Sequence, residues 1–383
     1  MKYSNIGGQA VMEGVMMRNG EDYAVAVRTP DKEIVVKTAK YKGIIRNKKI
    51  QKLPIVRGIV NFVDSLYLGM STLMFSANFF AEESPEELAE RIESEKKKAD
   101  KKVRQLKKAG KEQEAAAYMA KKEAEWQKDR DHVLGRTEEG AGLEDKKEDN
   151  SVVLGVTVAF SLVVSIGLFM MLPYFLSRGL HLITSSEILI SVMEAVLRLG
   201  FFLGYLVLIS RMKDIQRVFS YHGAEHKCIN CIEHGLELNV ENVRKSSRLH
   251  KRCGTSYLLY VMVISVIFFL FIRIESPLWR IVIRLLLIPI IAGVSYEFIR
   301  LAGRYDNACV NIMSKPGMLL QKVTTREPDD SMIEVGIASV EAVYDWKKFQ
   351  NENFGGAYEE EGIRLPEKGR LGSVITAAAE GAE

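Results

Sequence analysis

The chain has 383 residues, of which 47% are hydrophobic and 27% are charged, and its formal net charge is +4. This length allows two or three domains, and so small a charge gives no reason to predict a nucleic-acid partner. Three of the four cysteines lie within 26 consecutive positions. That spacing does not fit a disulfide framework, and the first residues lack the apolar core of a cleaved signal peptide.

Residues 1–54 are predicted to form a small β-rich module. The segment YAVAVR has a strand pattern, TPDK follows as a turn, and EIVVK resumes the strand pattern. This order is typical of a β-hairpin. The preceding segment, GGQAVMEGVMMRNG, contains four glycines, which is many for a plain strand.

The segment 55–83 is long enough to cross a bilayer, but it contains Arg57, Asn61 and Asp64. Charge at membrane depth is costly, so we predict a buried, interfacial or re-entrant helix. Residues 84–150 form a charged insertion that opens on Ser84, Pro85 and Glu87, a capping box with proline at the first helical position. It is predicted to be a solvated helical arm that ends in a linker over 131–150, with a partner-binding arm as the alternative.

Four apolar segments follow, each near the length that a helix needs to cross a bilayer: about 152–177, 188–210, 256–274 and 278–299. They form two pairs, 151–210 and 256–300, separated by the loop 211–255. That loop holds nine lysines or arginines, whereas each short connection within a pair holds one at most. The positive-inside rule therefore places the loop in the cytoplasm, and four crossings return both termini to the cytoplasm.

The predicted fold is an α-helical multi-pass membrane protein with about four transmembrane helices and a small cytoplasmic β-containing N-terminal module. It is expected in the cell membrane, with the lipid bilayer and other membrane proteins as candidate partners. Within the spans, Glu194 and Arg198 can pair on one helix face, and Arg284 lies in the last span. Such charges either neutralise one another or form a polar pathway.

Residues 301–350 are predicted to form a cytoplasmic C-terminal region. Ser331 and Glu334 fit a capping box. Apolar residues at 333, 337, 340 and 344 then predict an amphipathic helix. The glycine- and glutamate-rich tail, 351–383, is predicted to be disordered.

The loop 211–255 gathers the side chains that bind metals. His222, Glu225 and His226 form the pattern H-x-x-E-H, which places all three on one face of a helix. Two imidazoles can hold a metal there while the carboxylate reaches a water molecule, as in the inverted zinc-protease motif. Gly223 inside this helix costs about 1 kcal/mol relative to alanine. The third ligand is predicted among His250, Cys253 and Glu297.

A second pattern in the same loop leads to a different site. Cys228 and Cys231 are separated by eighteen residues from His250 and Cys253, which is the spacing of a structural zinc site. Because a cytoplasmic loop keeps its thiols reduced, metal binding is favoured over disulfides. Four protein ligands would close the site and leave no open position for chemistry.

Four motifs together resemble the YqhQ-like family of bacterial membrane proteins: GGQAVMEGVMMR (7–18), YHGAEHK (221–227), LHKRCGTSYL (249–258) and TTREPDD (324–330). The resemblance covers about residues 4–345, except for the insertion at 84–150, which is longer and more charged than the family requires. It implies a metal-dependent membrane enzyme. The polar candidates it carries over are Glu13, His222, Glu225, His226, His250 and Cys253. It favours the two histidines over the C-x2-C site.

These patterns predict a divalent metal, zinc, at the cytoplasmic membrane face. As an enzyme, the protein would be a metal-dependent hydrolase with His222 and His226 as ligands and Glu225 as general base. The alternative is a non-catalytic scaffold or membrane-protein assembly factor with a structural metal site. Glycine permits close backbone approach, so the segment around Gly14 is expected to dock against the metal loop with Glu13 facing it.

Overall fold

The computed structural model describes residues 2–45, 53–80, 85–108, 111–112, 114–123, 126–127, 151–271, 276–305, 307–359, 362–363 and 374–376. The chain forms two compact units, one of residues 77–152 and one of the remainder. The linker predicted over 131–150 lies outside the described residues.

The N-terminal module is an antiparallel sheet, as predicted. Its strands are β1 (Gly7–Val11), β2 (Gly14–Asn19), β3 (Asp22–Arg28) and β4 (Ile34–Lys40), which pair in sequence order. The predicted hairpin is the β3–β4 pair. The glycine-rich segment forms a second hairpin, in which Val11 opposes Gly14 across a tight turn. Within the tail predicted to be disordered, a short strand, β5 (Val374–Thr376), pairs in parallel with β4.

Both faces of this sheet are covered by helices. The face that carries Val15, Ala24 and Val36 packs in one apolar core with α6 (Lys213–Glu233) and α11 (Asp330–Glu341). The opposite face carries Gln9 and Lys37, and it meets α1 (Val56–Asn78). Because side chains alternate between the faces of a strand, one short sheet joins segments that lie about 200 and 300 residues apart in sequence.

Helix α1 lies along the sheet and also reaches the apolar helices. The Asp64 carboxylate accepts hydrogen bonds from the Tyr41 hydroxyl and the Ile44 backbone N–H, each at 2.9 Å. Near the other end of the helix, the Ser76 hydroxyl accepts one from the Met12 N–H at 3.1 Å. The first turn pairs Arg57 with Glu297. Arg57 and Asp64, two of the polar residues that made this segment a poor membrane span, thus have partners within the protein.

The apolar segments form a bundle. They are α3 (Ser151–Ile166), a π-helical turn (Gly167–Met171), α4 (Leu172–Arg178), α5 (Glu187–Ile209), α8 (Gly254–Phe271) and α9 (Pro277–Arg304). With α1 counted, the described residues contain five helices long and apolar enough to cross a membrane, judged by length and composition. That is one more than the four predicted, and it is α1 that makes the difference.

The loop predicted between the two pairs is largely helical. It consists of α6 and α7 (Val240–Lys245). Helix α6 ends at Glu233 with His234 as its C-cap, and the next residue, Gly235, adopts a φ of +78°, a left-handed conformation that glycine tolerates.

The C-terminal region contains α10 (Ala308–Thr324), α11 and α12 (Trp346–Phe354). The predicted amphipathic helix is α11, but its N-cap is Asp329 rather than Ser331. The Asp329 carboxylate accepts from the Met332 N–H at 3.0 Å, while the Ser331 hydroxyl donates to that same carboxylate. A charged carboxylate is the stronger acceptor, so it takes the capping position.

The charged insertion folds on itself. Helix α2 (Pro85–Lys108) packs Ile92 and Ala99 against Trp126, whose indole N–H donates to Glu95 at 3.0 Å. Helix α2 begins at the predicted proline. A second helical stretch, 114–123, supplies Tyr118 and Met119 to the same small apolar cluster.

Candidate metal centre

Helix α6 presents two chemically different faces near its middle. His222 and His226 lie one turn apart, with their ring centroids separated by 4.4 Å. Cys228 and Cys231 belong to the apolar core shared with the sheet and α11. The 3.6-residue period therefore places the two histidines and the two cysteines on opposite sides of the helix.

Cys253 completes a three-residue cluster with the two histidines. The ligand atoms of His222, His226 and Cys253 all lie within 4.8 Å of one another, and the His222 Nε2–Cys253 Sγ distance is 3.2 Å. Cys253 is the residue immediately before α8. Among the residues that the structure describes, no other His, Cys, Asp or Glu joins this group. We call these three residues the metal trio, because they can hold a metal ion.

Both imidazole rings of the metal trio are fixed through their Nδ1 atoms. His222 Nδ1 lies 2.9 Å from the Thr324 carbonyl oxygen, and His226 Nδ1 lies 2.6 Å from the Arg248 carbonyl oxygen. A carbonyl oxygen only accepts, so each Nδ1 must carry the hydrogen. With hydrogen on Nδ1, each ring can offer its Nε2 as a ligand once Nε2 is deprotonated, which is the arrangement usual for histidines that bind metals.

The electrostatics of the metal trio favour a thiolate. Burial alone would raise the pKa of Cys253, but His222 and His226 beside it lower that pKa well below its ordinary value. Burial opposes the charged form of His222, yet the Cys253 sulfur and the Glu225 carboxylate raise its pKa to about 9. Thiolate sulfur and imidazole nitrogen are ligands that zinc prefers.

Glu225 lies beside the metal trio in a closed environment. Its Oε2 is 3.9 Å from His222 Nε2, and its side chain is only 6% exposed. Burial raises the pKa of this carboxyl group above its ordinary value. A carboxylate with a raised pKa next to a metal site is suited to accept a proton near neutral pH.

Strand β1 covers Glu225, and Gly8 makes that contact possible. A Cβ atom at Gly8 would lie 2.7 Å from Glu225 Cγ and 2.8 Å from the Met16 carbonyl oxygen. At the neighbouring Gly7 a Cβ would meet nothing within 4 Å. Of the two glycines that open the N-terminal motif, Gly8 therefore leaves no space for a side chain beside Glu225, whereas Gly7 does have space for one.

This difference gives a matched pair of variants. Gly8→Ala is expected to lower the free energy of unfolding by about 1–3 kcal/mol, the usual cost of inserting a methyl group into a packed interior, and to weaken metal binding. Gly7→Ala should change neither property. Thermal unfolding and metal content of the two purified variants test this. Equal behaviour of the two would show that β1 does not pack closely on Glu225.

Gly223 is also required by packing. A Cβ at this position would clash with the Arg326 carbonyl oxygen, and the Arg326 N–H donates to the Phe219 carbonyl at 2.8 Å. The segment that carries the TTRE sequence thus runs directly over α6. It supplies the Thr324 carbonyl to His222. The helical cost of Gly223 is offset by this contact.

His250 lies next to the metal trio but outside it. Its ring is 5.8 Å from that of His226, and its Nε2 is 3.5 Å from Glu233 Oε2. Glu233 is fully buried and also accepts hydrogen bonds from the Ser4 N–H and hydroxyl, each at 2.8 Å, and from Arg252. The sequence places Glu233 near the histidines but gives it no role, since a lone glutamate near a helix end has no distinguishing pattern. It connects the N terminus to the loop beside the metal trio.

The remaining predicted ligands lie outside the metal trio. Cys228 packs against Gly336, and the Cys231 thiol donates to the Glu237 carbonyl at 3.3 Å. Both face the apolar core because they lie on the opposite side of α6 from the histidines, so the four-ligand C-x2-C site does not assemble. Glu297 pairs with Arg57.

Glu13 contacts α6 without reaching the metal trio. Its carboxylate pairs with Arg217 and accepts from the Tyr221 hydroxyl at 3.2 Å, in the turn before His222. Its φ is +48°, a left-handed conformation at the tip of the β1–β2 hairpin. This side chain orients the hairpin on the helix.

Comparison with known proteins identifies the family of this chain. The family model described as "Protein of unknown function (DUF1385)" matches residues 53–346. The chain is 31% identical over 335 residues to the "Uncharacterized protein YqhQ" of Bacillus subtilis (strain 168), covering 87% of this chain and 90% of that protein. No solved structure gives a significant match. The resemblance to a YqhQ-like family is thus confirmed, and the chain belongs to the DUF1385 family.

Proposed function

We propose that this protein is a membrane-bound, zinc-dependent hydrolase whose site lies where the helix bundle meets the sheet module. One observation carries the proposal: two histidines with anchored Nδ1 atoms and a cysteine converge next to a buried carboxylate. Three protein ligands are typical of catalytic zinc sites, whereas structural sites use four.

The residues of the site have distinct tasks under this proposal. His222, His226 and Cys253 would hold the ion, which when bound supplies Lewis-acid activation of a water molecule. Glu225 would act as the general base and take up a proton at a carboxylate oxygen. The Thr324 and Arg248 carbonyls keep the two imidazoles in the tautomer that exposes Nε2. Strand β1 keeps bulk water from Glu225, which preserves its raised pKa.

The proposed position at a membrane face rests on the helices that flank the metal trio. Three residues separate the end of α5 from the start of α6, and Cys253 directly precedes α8. Both flanking helices are candidate membrane spans. A substrate would therefore meet the site at the membrane surface, which fits a lipid or a membrane-anchored chain.

The shared core supports a topology with four crossings. The sheet and α6 pack in one apolar core, so they lie on the same side of a membrane. Three candidate spans lie between them in sequence: α1, the stretch Ala159–Leu182 and α5. An odd number of crossings would separate the sheet from α6, so one of the three does not cross. Helix α1 is that one, because the sheet covers its polar face.

We infer that α1 lies in the membrane interface, with the sheet on one side and lipid on the other. Its exposed face is apolar and includes Val63, Leu66, Met70 and Met74, a pattern that suits an interfacial helix. The remaining four spans return the C-terminal region to the side of the sheet. The nine basic residues of 211–255 support a cytoplasmic position for this side.

This topology predicts the behaviour of reporter fusions. A fluorescent protein fused after residue 80 and another inserted near residue 240 should both fluoresce, and alkaline phosphatase at the same positions should be inactive. A phosphatase fused near residue 184, between the first two spans, is the control and should be active. Active phosphatase after residue 80 would mean that α1 crosses the membrane.

The hydrolase proposal is tested by comparing Glu225→Gln with the wild type, in metal content and in growth of a deletion strain. Retained metal with lost function supports the proposal. Full function with Glu225→Gln contradicts it.

The alternative, a scaffold with a structural metal, is favoured by a different feature of the same site. The trio joins α6 to the start of α8, and its hydrogen bonds hold the segments around Arg248 and Thr324. An ion there would tie the sheet module to the bundle and supply folding energy. Under this alternative Glu225→Gln would leave growth unchanged, and loss of Cys253 would abolish it.

A further inference from the structure

Strand β1 forms an open edge of the sheet beside Glu225. The strand order β1-β2-β3-β4-β5 gives β1 a neighbouring strand on one side only. An edge strand presents backbone N–H and C=O groups that can pair with another extended chain. Gly7 and Gly8 are exposed and Ala10 is half-buried, so this stretch of the edge is accessible.

The hydrogen-bond register shows which backbone groups of β1 point outward. Successive residues of an antiparallel strand direct their N–H and C=O groups to opposite sides. The Arg28 N–H donates to the Glu13 carbonyl oxygen at 2.8 Å, so odd-numbered residues of β2 face β3 and even-numbered residues face β1. The even-numbered residues Gly14, Met16 and Arg18 oppose Val11, Gln9 and Gly7. Gly8 and Ala10 alternate with these pairs, and their N–H and C=O groups therefore point to the open edge.

Two neighbouring contacts agree with this register. Met12, which also has an even number, donates its N–H to the Ser76 hydroxyl outside the sheet. Burial raises the pKa of Glu225, and the Gly8 N–H beside the carboxylate acts in the opposite direction. In the part of the chain that the structure describes, no hydrogen bond involves the Gly8 carbonyl oxygen or either backbone group of Ala10. One donor and two acceptors of the edge are thus unpaired.

These unpaired groups lie beside the proposed general base. The Glu225 carboxylate lies against the Gly8 N–H, where a neighbouring strand would place a carbonyl oxygen. A chain paired with Ala10 would run about 4.8 Å from β1, so its backbone would pass next to Glu225. Glu225 Oε2 is 3.9 Å from His222 Nε2, and the same chain would therefore reach the metal trio.

We propose that the open edge of β1 binds the substrate as an extended polypeptide segment, which pairs with the backbone of Gly8 and Ala10. This inference rests on the proposed hydrolase and names the substrate class of the same site. Backbone pairing needs donors and acceptors at regular spacing, which a polypeptide offers and an acyl chain lacks. The affinity comes from main-chain hydrogen bonds, so it does not require a particular side chain at the paired positions.

The reaction is hydrolysis of a peptide bond in the paired segment. The C–N bond breaks, the carbonyl carbon gains the hydroxyl group of a water molecule, and the nitrogen gains the remaining proton, which Glu225 carries. The proposed position at a membrane face fits a segment of a membrane protein that leaves the bilayer on the side of the sheet.

The test measures the affinity of three hydroxamates for the full-length, zinc-loaded protein in detergent, because the hydroxamate group chelates zinc. Acetohydroxamate reports the metal trio alone, acetyl-tetra-alanine hydroxamate adds a peptide backbone, and hexanoyl hydroxamate adds an acyl chain. The tetra-alanine probe should bind at least about tenfold more tightly than acetohydroxamate, since it gains backbone hydrogen bonds. Hexanoyl hydroxamate should show no such gain.

Two changes remove the backbone pairing, one from each partner. N-methylation of the tetra-alanine amides removes the donors of the probe, and Ala10→Pro removes the N–H donor of the edge. Each should weaken binding of the tetra-alanine probe about tenfold. Proline is tolerated in an edge strand where its nitrogen faces outward, so the β1–β2 ladder is kept. Gly7→Ala is the matched control, because Gly7 pairs with β2 and has space for a side chain, and it should bind the probes as the wild type does.

The outcomes distinguish this inference from the hydrolase proposal. Absence of acetohydroxamate binding would contradict the zinc site and, with it, the inference. Acetohydroxamate binding without a gain from the tetra-alanine chain, or a gain that survives N-methylation, would overturn the inference and leave the hydrolase proposal in place. A gain with hexanoyl hydroxamate alone would also overturn it, in favour of a lipid substrate. If Ala10→Pro loses acetohydroxamate binding as well, the N-methylated probe on the wild type gives the answer.

Discussion

Replacing His226 with alanine is expected to remove the metal from the purified protein, from about one ion per chain to nearly none. His226 is 1% exposed, and its Nε2 faces Cys253 while its Nδ1 is held by the Arg248 carbonyl. Two ligands remain after the substitution, and a zinc site with two protein ligands loses most of its affinity. His222→Ala and Cys253→Ser should have the same effect. Elemental analysis of the dialysed protein measures it.

Two controls separate metal loss from misfolding. His234→Ala changes an exposed histidine at the end of the same helix and should keep the metal. Cys228→Ala removes a thiol of the C-x2-C pattern that faces the apolar core, and it should also keep the metal. Cys253→Ser changes one atom, so its loss of metal cannot be attributed to a cavity. If Cys228→Ala loses the metal and Cys253→Ser retains it, the metal trio is not the site.

Glu225→Gln is expected to keep the metal and lose function, with a fall in activity of about 10²- to 10⁴-fold, the usual contribution of general acid–base catalysis. Glutamine has nearly the same shape as glutamate, so the contact with Gly8 is preserved. A neutral amide cannot accept the proton of the attacking water. Until a substrate is in hand, growth of a deletion strain that carries the variant is the measurement, together with metal content.

Glu241→Gln is the matched control for this substitution. Glu241 is exposed on α7, where it pairs with Lys245. It should behave as the wild type in both measurements. If Glu225→Gln restores growth fully, catalysis by this residue is excluded. In that case, loss of growth with Cys253→Ser would indicate that the metal has a structural role.

Local patterns were sufficient to predict much of the fold. The β3–β4 hairpin, the helical charged arm and the apolar segments of the bundle all depend on residues close together in sequence. Their periodicity and turn residues are visible in a short window. The N-cap of α11 was misassigned by two residues, because both Asp329 and Ser331 fit the cap. The choice depends on which side chain is the better acceptor.

The composition of α1 does not decide whether this helix crosses the membrane. Its length suits a span, while Arg57 and Asp64 argue against one. The structure gives these side chains partners distant in sequence, Glu297 for Arg57 and Tyr41 for Asp64, and these contacts support the proposal that α1 does not cross. Burial of a charge is acceptable only when its partner is present, and no local pattern reveals that partner.

The sequence by itself determined that His222, Glu225 and His226 share a helix face, because their spacing matches the helical period. It left the third ligand open among His250, Cys253 and Glu297. Only the tertiary structure brings Cys253 to the two histidines, through the approach of the chain before α8 to α6. In the folded protein Cys228 and Cys231 lie in the apolar core, and His250 contacts Glu233. The physical reason is that ligand choice depends on distances of a few ångströms between segments far apart in sequence. Those distances are set by packing of the whole core, including Gly8 and Gly223, where backbones approach too closely for any side chain.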